Sequence, residues 1–441
     1  MVTSGQWRCM GALLAWMAVW GCAGVAWSAP AQTMAWHKSF DAALTAAEDT
    51  CKPILVEVSC AGCRYCRQVC EPARDTLRQS LADPRVLELS TFFECARAKA
   101  QKAARDQSFQ QFRQFRIVAS PTVLLLEPDG RSELMRLGGP VTADVLAGSM
   151  AVLAELGPAL RGVKADPGSG AAHAAIGHVY YRLEKQDRAL EHLRRALATP
   201  DEFPRRAEAE LDAAICELVL DTRAPGAADE APPWLQGLES FVGAHPDSPR
   251  RPEALFYLST AYLRVGKTTE AEACLSQLIA GELMDSQWAQ AGRETLAKAQ
   301  LPRLRLQLRQ RPDDAEINYR MGRALMMTRE FHDGLRYLVR ALQVDPEDAA
   351  GRKVDATLDA AICWCWVDPR MGGPRLRDFL QKHAGAERAP EALYHLATWA
   401  YSQGATQQAR DAAQRLVGEH PESPWAHKVK GLLQRIQAQG P

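Results

Sequence analysis

The chain reads as an α/β sandwich followed by an all-α helical-repeat solenoid, and three observations carry that reading. Residues 36–160 alternate between helical and strand periodicity. A Gly- and Pro-containing stretch, 163–170, then breaks the pattern. Beyond it no strand is evident, and short phrases recur. Leu211-Asp-Ala-Ala-Ile-Cys216 returns as Leu358-Asp-Ala-Ala-Ile-Cys363, Pro252-Glu-Ala-Leu255 as Pro390-Glu-Ala-Leu393, and His245-Pro-Asp-Ser-Pro249 as His420-Pro-Glu-Ser-Pro424. A duplicated helical array is the simplest account of such phrases. The expected organisation is a signal peptide over 1–31, an α/β domain over 32–162, a linker over 163–170 and helical repeats over 171–441.

Each element of the first domain has its own signal. Phe40–Thr50 carries Ala and Leu at helical spacing, and Pro53–Ser59 is an apolar run of strand length. A helix is expected over Cys66–Leu81, a strand over Thr91–Ala96 and a helix over Ser108–Phe115. Pro121–Glu127 reads as a strand. Pro128-Asp129-Gly130 then starts a hairpin to Ser132–Leu137, and Val141–Leu156 closes the domain as a helix. Such alternation implies helices packed on a mixed sheet.

In the array, small and bulky residues recur at matching places: Gly177, Tyr180, Ala189, Leu193 and Ala196; Leu258, Tyr262, Ala271 and Leu275; Gly322, Leu325, Gly334, Leu338, Ala341 and Pro346; Leu396, Ala400, Ala409 and Pro421. Small residues let the two helices of a pair approach, large ones fill the gaps, and each pair buries its open face on the next. These four units resemble the tetratricopeptide repeat. The segments between them, Ala207–Leu220 and Asp355–Trp366, read as degenerate members of the same array.

At 441 residues the chain is too long for one core. Basic and acidic residues balance at 53 each, and no block of like charge is present, which speaks against nucleic acid as the partner. The most basic stretch, Arg303 to Arg311, could attract phosphate, but its regular leucines read as a solvated helix face. Arg8, the apolar run Gly11–Val25 and Ala29-Pro30-Ala31 form an export signal, shorter than the ~20 residues of a membrane span. Val19-Trp20-Gly21-Cys22 leaves a lipid anchor on Cys22 open, although Trp20 fits a lipoprotein box poorly. A periplasmic or secreted location follows, and with it an oxidising compartment.

Cys60, Cys63, Cys66 and Cys70 crowd into one short stretch directly after the strand. A thiol where a loop enters a helix faces unpaired N–H groups and the positive end of the dipole, which favours the thiolate. Cys63 holds that place and Cys66 lies one turn in, while Arg64 adds positive charge. Three alternatives stand beside a redox pair: a structural disulfide, inert buried thiols, and a metal or iron–sulfur site with the spacing C-x2-C-x2-C-x3-C. Against the cluster, Glu71 replaces the proline expected after the fourth cysteine, and no second such run occurs. Cys70 reads as a third redox partner or a buried apolar thiol, Cys95 as core, and Cys363-Trp-Cys365 as helix packing.

Three features together resemble the thioredoxin family over residues 36–160. They are Cys63-Arg64-Tyr65-Cys66 between strand and helix, Ser120-Pro121-Thr122 before the next long strand, and Gly138-Gly139 after the last. The resemblance implies that Cys63 attacks a substrate disulfide and Cys66 resolves it. It also implies that Pro121 is a cis-proline facing the pair, and that Glu57 is a buried acid relaying a proton. Glu57 stands where the family has Asp, and Gly62 where it commonly has Trp, so the relay role and an ordinary strand-end carboxylate both stay open. No cofactor is implied, and no glycine-rich phosphate loop, His-Glu-x-x-His or Gly-x-Ser-x-Gly elbow is present. Two functions remain. One is an exported thiol–disulfide oxidoreductase whose array holds a protein partner or substrate; the other is a non-catalytic envelope scaffold.

Overall fold

The computed structural model describes residues 33–60, 64–100, 113–117, 121–200, 202–223, 232–279 and 286–438. The expected signal peptide, Cys22, Cys63 and most of the helix expected over Ser108–Phe115 lie outside them. The described chain is mostly helical with one small sheet, and it forms two compact units that meet at Thr222/Arg223.

The first unit is built on strands β1 (Ile54–Cys60), β2 (Glu94–Ala100), β3 (Thr122–Leu126) and β4 (Glu133–Gly138), in the order β2-β1-β3-β4. β1 and β2 are parallel, while β3 is antiparallel to both of its neighbours. Every residue of β3 is buried, so this strand is apolar throughout rather than alternating. Helix α1 (Phe40–Thr50) covers one face, packing Phe40, Ala43 and Ala47 on Ile54, Val56 and Val58. The other face carries Leu55, Val123 and Leu125. It is covered by α2 (Arg64–Leu81), α3 (Pro84–Ser90) and α4 (Ala143–Leu153) through Leu77, Val86, Leu146 and Met150.

Local chemistry sets the ends of these elements. The Ser39 hydroxyl accepts from the Ala42 N–H at 3.1 Å and the Asp83 carboxylate from the Arg85 N–H at 2.9 Å, capping α1 and α3. In the β3–β4 turn, Asp129 accepts from the Arg131 and Ser132 N–H groups at 2.8 and 3.0 Å, and Gly130 takes φ +63°.

Three boundaries differ from the sequence expectation. The strand expected at Thr91 begins at Glu94, because 84–90 is helical and Thr91–Phe93 turns out of it. Within Ser108–Phe115 the described portion is a short 3₁₀ turn, Arg113–Phe115. The closing helix is two helices, α4 and α5 (Leu156–Ala165), so the stretch read as a linker is helical up to Ala165 and only 166–169 separates α5 from the next helix. Among the described residues, 143–165 is the one stretch long and apolar enough to cross a membrane; it is α4 and α5, and Leu146, Met150 and Leu153 lie in the sheet core.

Helices α6 (Gly170–Arg182), α7 (Gln186–Leu197) and α8 (Arg206–Leu220) complete the first unit, and their Ile176, Leu193 and Cys216 belong to the same core cluster as the sheet residues. That shared core is why the compact boundary follows α8 rather than the 166–169 connection. The second unit holds α9 (Pro233–Ala244), α10 (Arg251–Arg264), α11 (Thr268–Ile279), α12 (Gln287–Gln310), α13 (Ala315–Met327), α14 (Phe331–Val344), α15 (Lys353–Val367), α16 (Pro369–Lys382), α17 (Ala389–Ser402), α18 (Thr406–Glu419) and α19 (Pro424–Ala438). Among the described residues, no strand follows Gly138.

Four helix pairs share one turn. Between α6 and α7, α10 and α11, α13 and α14, and α17 and α18 stands a left-handed residue: Glu184, Gly266, Arg329 or Gly404. In each turn the following N–H reaches back to the fifth carbonyl before it at 2.9 Å: Lys185 to Tyr180, Lys267 to Tyr262, Glu330 to Leu325 and Ala405 to Ala400. This satisfies a carbonyl the helix end leaves open. Small residues allow the pairs to close: a Cβ on Gly177 would sit 2.6 Å from Leu193 Cγ, and one on Gly322 2.6 Å from Leu338 Cγ.

Candidate functional site

The expected redox centre lies where β1 gives way to α2. β1 ends at Cys60 and α2 begins at Arg64, so Cys63 immediately precedes the helix in sequence and Cys66 falls in its first turn. Of the expected site residues, Cys63 is outside the described residues, and Cys66 is placed by its backbone alone.

Pro121 and Glu57 can be placed fully. The antiparallel register pairs Val58 with Thr122, and Pro121 directly precedes Thr122, so it adjoins the end of β3 that meets the C-terminal part of β1. Pro121 is buried, and its carbonyl accepts from the Gly139 N–H at 3.3 Å, with Gly139 at φ +79°. The proline and the glycine singled out in the sequence therefore touch. Glu57 lies mid-strand, in register with Arg97 and Val123. Its half-buried carboxylate accepts from Arg97 Nε at 2.9 Å, and Arg97 in turn lies 4.1 Å over the Trp36 ring. Glu57 is thus a mid-strand carboxylate and half of an ion pair that nothing in the local sequence signals.

Three of the cysteines beyond this segment behave as packing groups. Cys95 is buried on β2, the edge strand beside β1, and burial, with Glu94 beside it, pushes its thiol up to about 12. Burial likewise takes Cys363 up to about 12 and Cys365 up to about 11. None of the three is a poised nucleophile at neutral pH. Among the described residues no group of His, Cys, Asp and Glu is arranged to hold a metal.

The second unit carries a polar ladder that sequence reasoning missed. Alternate helices α13, α15 and α17 present it. Arg388, at the head of α17, donates to Asp359 at 2.5 Å, Asp355 at 3.3 Å and Glu391 at 2.8 Å. Arg352 reaches Glu316 at 2.6 Å and lies over the Tyr319 ring, while Arg323 donates to the Tyr319 hydroxyl at 3.0 Å. Asp359 is fully buried, and burial raises its pKa against the lowering pull of Arg388. Burial acts on Glu391 in the same sense, but Arg388 and His395 hold it below the usual carboxylate range. A signal was available: Asp359 and Glu391 stand inside two of the recurring phrases, and a charged residue repeated within an apolar helix phrase needs a partner. The duplication extends to contacts, since Arg250 bonds Glu253 at 2.8 Å as Arg388 does Glu391. Trp288 likewise packs on Phe256 and Tyr257 as Trp425 does on Tyr394 and His395.

Comparison with known proteins bears on the array. Residues 391–423, covering most of α17 and all of α18, match the tetratricopeptide repeat model, so the chain carries such a repeat there. No curated protein sequence matches the chain. Among solved structures, the C-terminal part of a TPR repeat-containing protein from Cytophaga hutchinsonii is 12% identical over 58% of this chain and 98% of its own, with a TM-score of 0.25. Yeast Tom70 is 10% identical over 67% of this chain and 61% of its own, with a TM-score of 0.29. Pseudomonas aeruginosa pilF is 14% identical over 59% and 96%, with a TM-score of 0.22. Scores of this size establish no shared overall shape. The matched repeat is consistent with a protein partner for the helical part.

Proposed function

We propose that the protein is an exported, envelope-located thiol–disulfide oxidoreductase with a thioredoxin-like domain over 32–162 and a partner-recruiting repeat array over 171–441. The observation that supports it best is that three motif positions fall at one end of the sheet: the end of β1, the head of α2 and Pro121, one residue before the Thr122–Val58 pair. The thiolate of Cys63 attacks one sulfur of a substrate disulfide. That S–S bond breaks, a mixed disulfide forms and the first substrate thiolate leaves. Cys66, deprotonated in turn, attacks Cys63 Sγ and expels the second substrate thiolate. The substrate gains two electrons and the protein ends with a Cys63–Cys66 disulfide; the reverse sequence oxidises a dithiol. The array recruits the substrate protein or a donor.

The test is insulin reduction by the wild type and by Cys63→Ala in the full chain. The variant is expected to lose activity, and a variant as active as the wild type contradicts the proposal. The matched repeat at 391–423 favours a second reading, a non-catalytic scaffold whose cysteine cluster is structural or binds metal. Visible absorption and metal analysis of fresh protein separate the two: bound metal with thiols inert to alkylation supports the scaffold.

A further inference from the structure

The second unit has a groove of about 1090 Å³ whose rim lies on α12 and α14, with further lining residues on α13 and α15. Four arginines line it, Arg305 and Arg309 from α12 and Arg336 and Arg340 from α14, against a single carboxylate, Asp313. Asp313 is taken by Arg340, and Arg336, which lies over the Tyr337 ring, pairs among the described residues with the exposed Asp333 at 3.7 Å. Arg305 and Arg309 are exposed and have no ion-pair partner among the described residues. The floor is apolar, with Leu335 buried and Leu308 and Val339 half-buried.

The far wall is aromatic. Trp364 lines the groove and is held under the Arg375 guanidinium at 5.0 Å. Tyr337 also lines it, and both rings are half-buried. A large, partly exposed aromatic side chain is the kind of group that anchors a protein interface. Nucleic acid would use the arginines but leave the apolar floor idle.

We propose that this groove docks an acidic segment of a partner protein, with carboxylates on the arginine rim and large apolar side chains on the floor and against Trp364. The reading deepens the partner-binding half of the proposed function and is independent of its redox half. The probe is a labelled amphipathic Glu/Leu peptide, titrated by fluorescence anisotropy into the full-length protein. Binding in the micromolar range is expected, weakening about tenfold in Arg305→Glu/Arg309→Glu and falling with added salt. Because both arginines are exposed and unpaired, this variant does not threaten folding, and Arg410→Glu, on α18, is expected to bind like the wild type. The proposal is overturned if a Gln/Leu peptide binds equally, if the arginine variant binds unchanged, if no binding occurs, or if a single-stranded oligonucleotide binds more tightly and displaces the peptide. Cys63 alkylation on the same samples separates the two halves: a reactive thiol without peptide binding removes the groove alone, and peptide binding with an inert thiol removes the redox reading alone.

Discussion

The Gly139 N–H donates to the Pro121 carbonyl at 3.3 Å, tying the end of β4 to the proline that flanks the cysteine end of β1. Gly139 holds φ +79° with open space where a Cβ would stand, so its requirement is backbone conformation and not room. Gly139→Ala is expected to cost about 1–2 kcal/mol in urea unfolding, the penalty of a left-handed alanine. By moving the Pro121 carbonyl it should also slow insulin reduction. Unchanged turnover at this reduced stability would separate Pro121 from the chemistry.

The four helix-pair turns differ in one respect. Gly266 and Gly404 take the left-handed position freely, whereas Glu184 and Arg329 take it at φ +57° and +65° with side chains. Arg329→Gly and Glu184→Gly should each stabilise the protein by about 1 kcal/mol, read as a raised unfolding midpoint.

Close packing gives the opposite sign at Gly322. A Cβ there would lie 2.6 Å from Leu338 Cγ and 2.9 Å from the Gly334 carbonyl, which is backbone and cannot step aside cheaply. Gly322→Ala should destabilise the second unit by about 1–3 kcal/mol in denaturant unfolding.

The Arg388 ladder is expected to behave as a buried ion network. Arg388→Met removes the cation bonded to Asp359, which is fully buried, and to Glu391. The loss should be about 3–5 kcal/mol, and Asp359→Leu in the same chain should recover much of it. A single variant as stable as the wild type would show that the ladder adds nothing.

In the first unit His192 faces His173 at 3.0 Å, with Glu191 and Arg195 nearby; burial first, and His173 second, hold its pKa down at about 4. The unfolded chain takes up this proton near pH 6.5 and the folded one only near 4, so the stabilisation is complete above about pH 6.5 and drains away as pH falls towards 4. His192→Gln should flatten that part of a stability–pH curve measured by urea unfolding.

Much of this was legible from residue type and spacing. The unbroken apolar run Pro53–Ser59, the Pro128-Asp129-Gly130 turn and the small-residue positions Gly177 and Gly322 each have a local cause, and the structure puts a strand, a hairpin and two close helix approaches there. Contacts between residues distant in sequence were not legible. Arg97 pairing with Glu57 follows from β1–β2 register, and Arg388 pairing with Asp359 from the packing of α15 on α17. The arginines of α12 showed only as a basic helix face until α14 supplied the opposite wall of the groove.

The most direct test of a poised thiol at the head of α2 is the rate of Cys63 alkylation by iodoacetamide in the reduced, native full-length protein as a function of pH. The account predicts rapid, selective modification with an ionisation midpoint below about pH 7.5. A midpoint near 8.5, the value of an ordinary thiol, or no modification until the protein is unfolded, would contradict it.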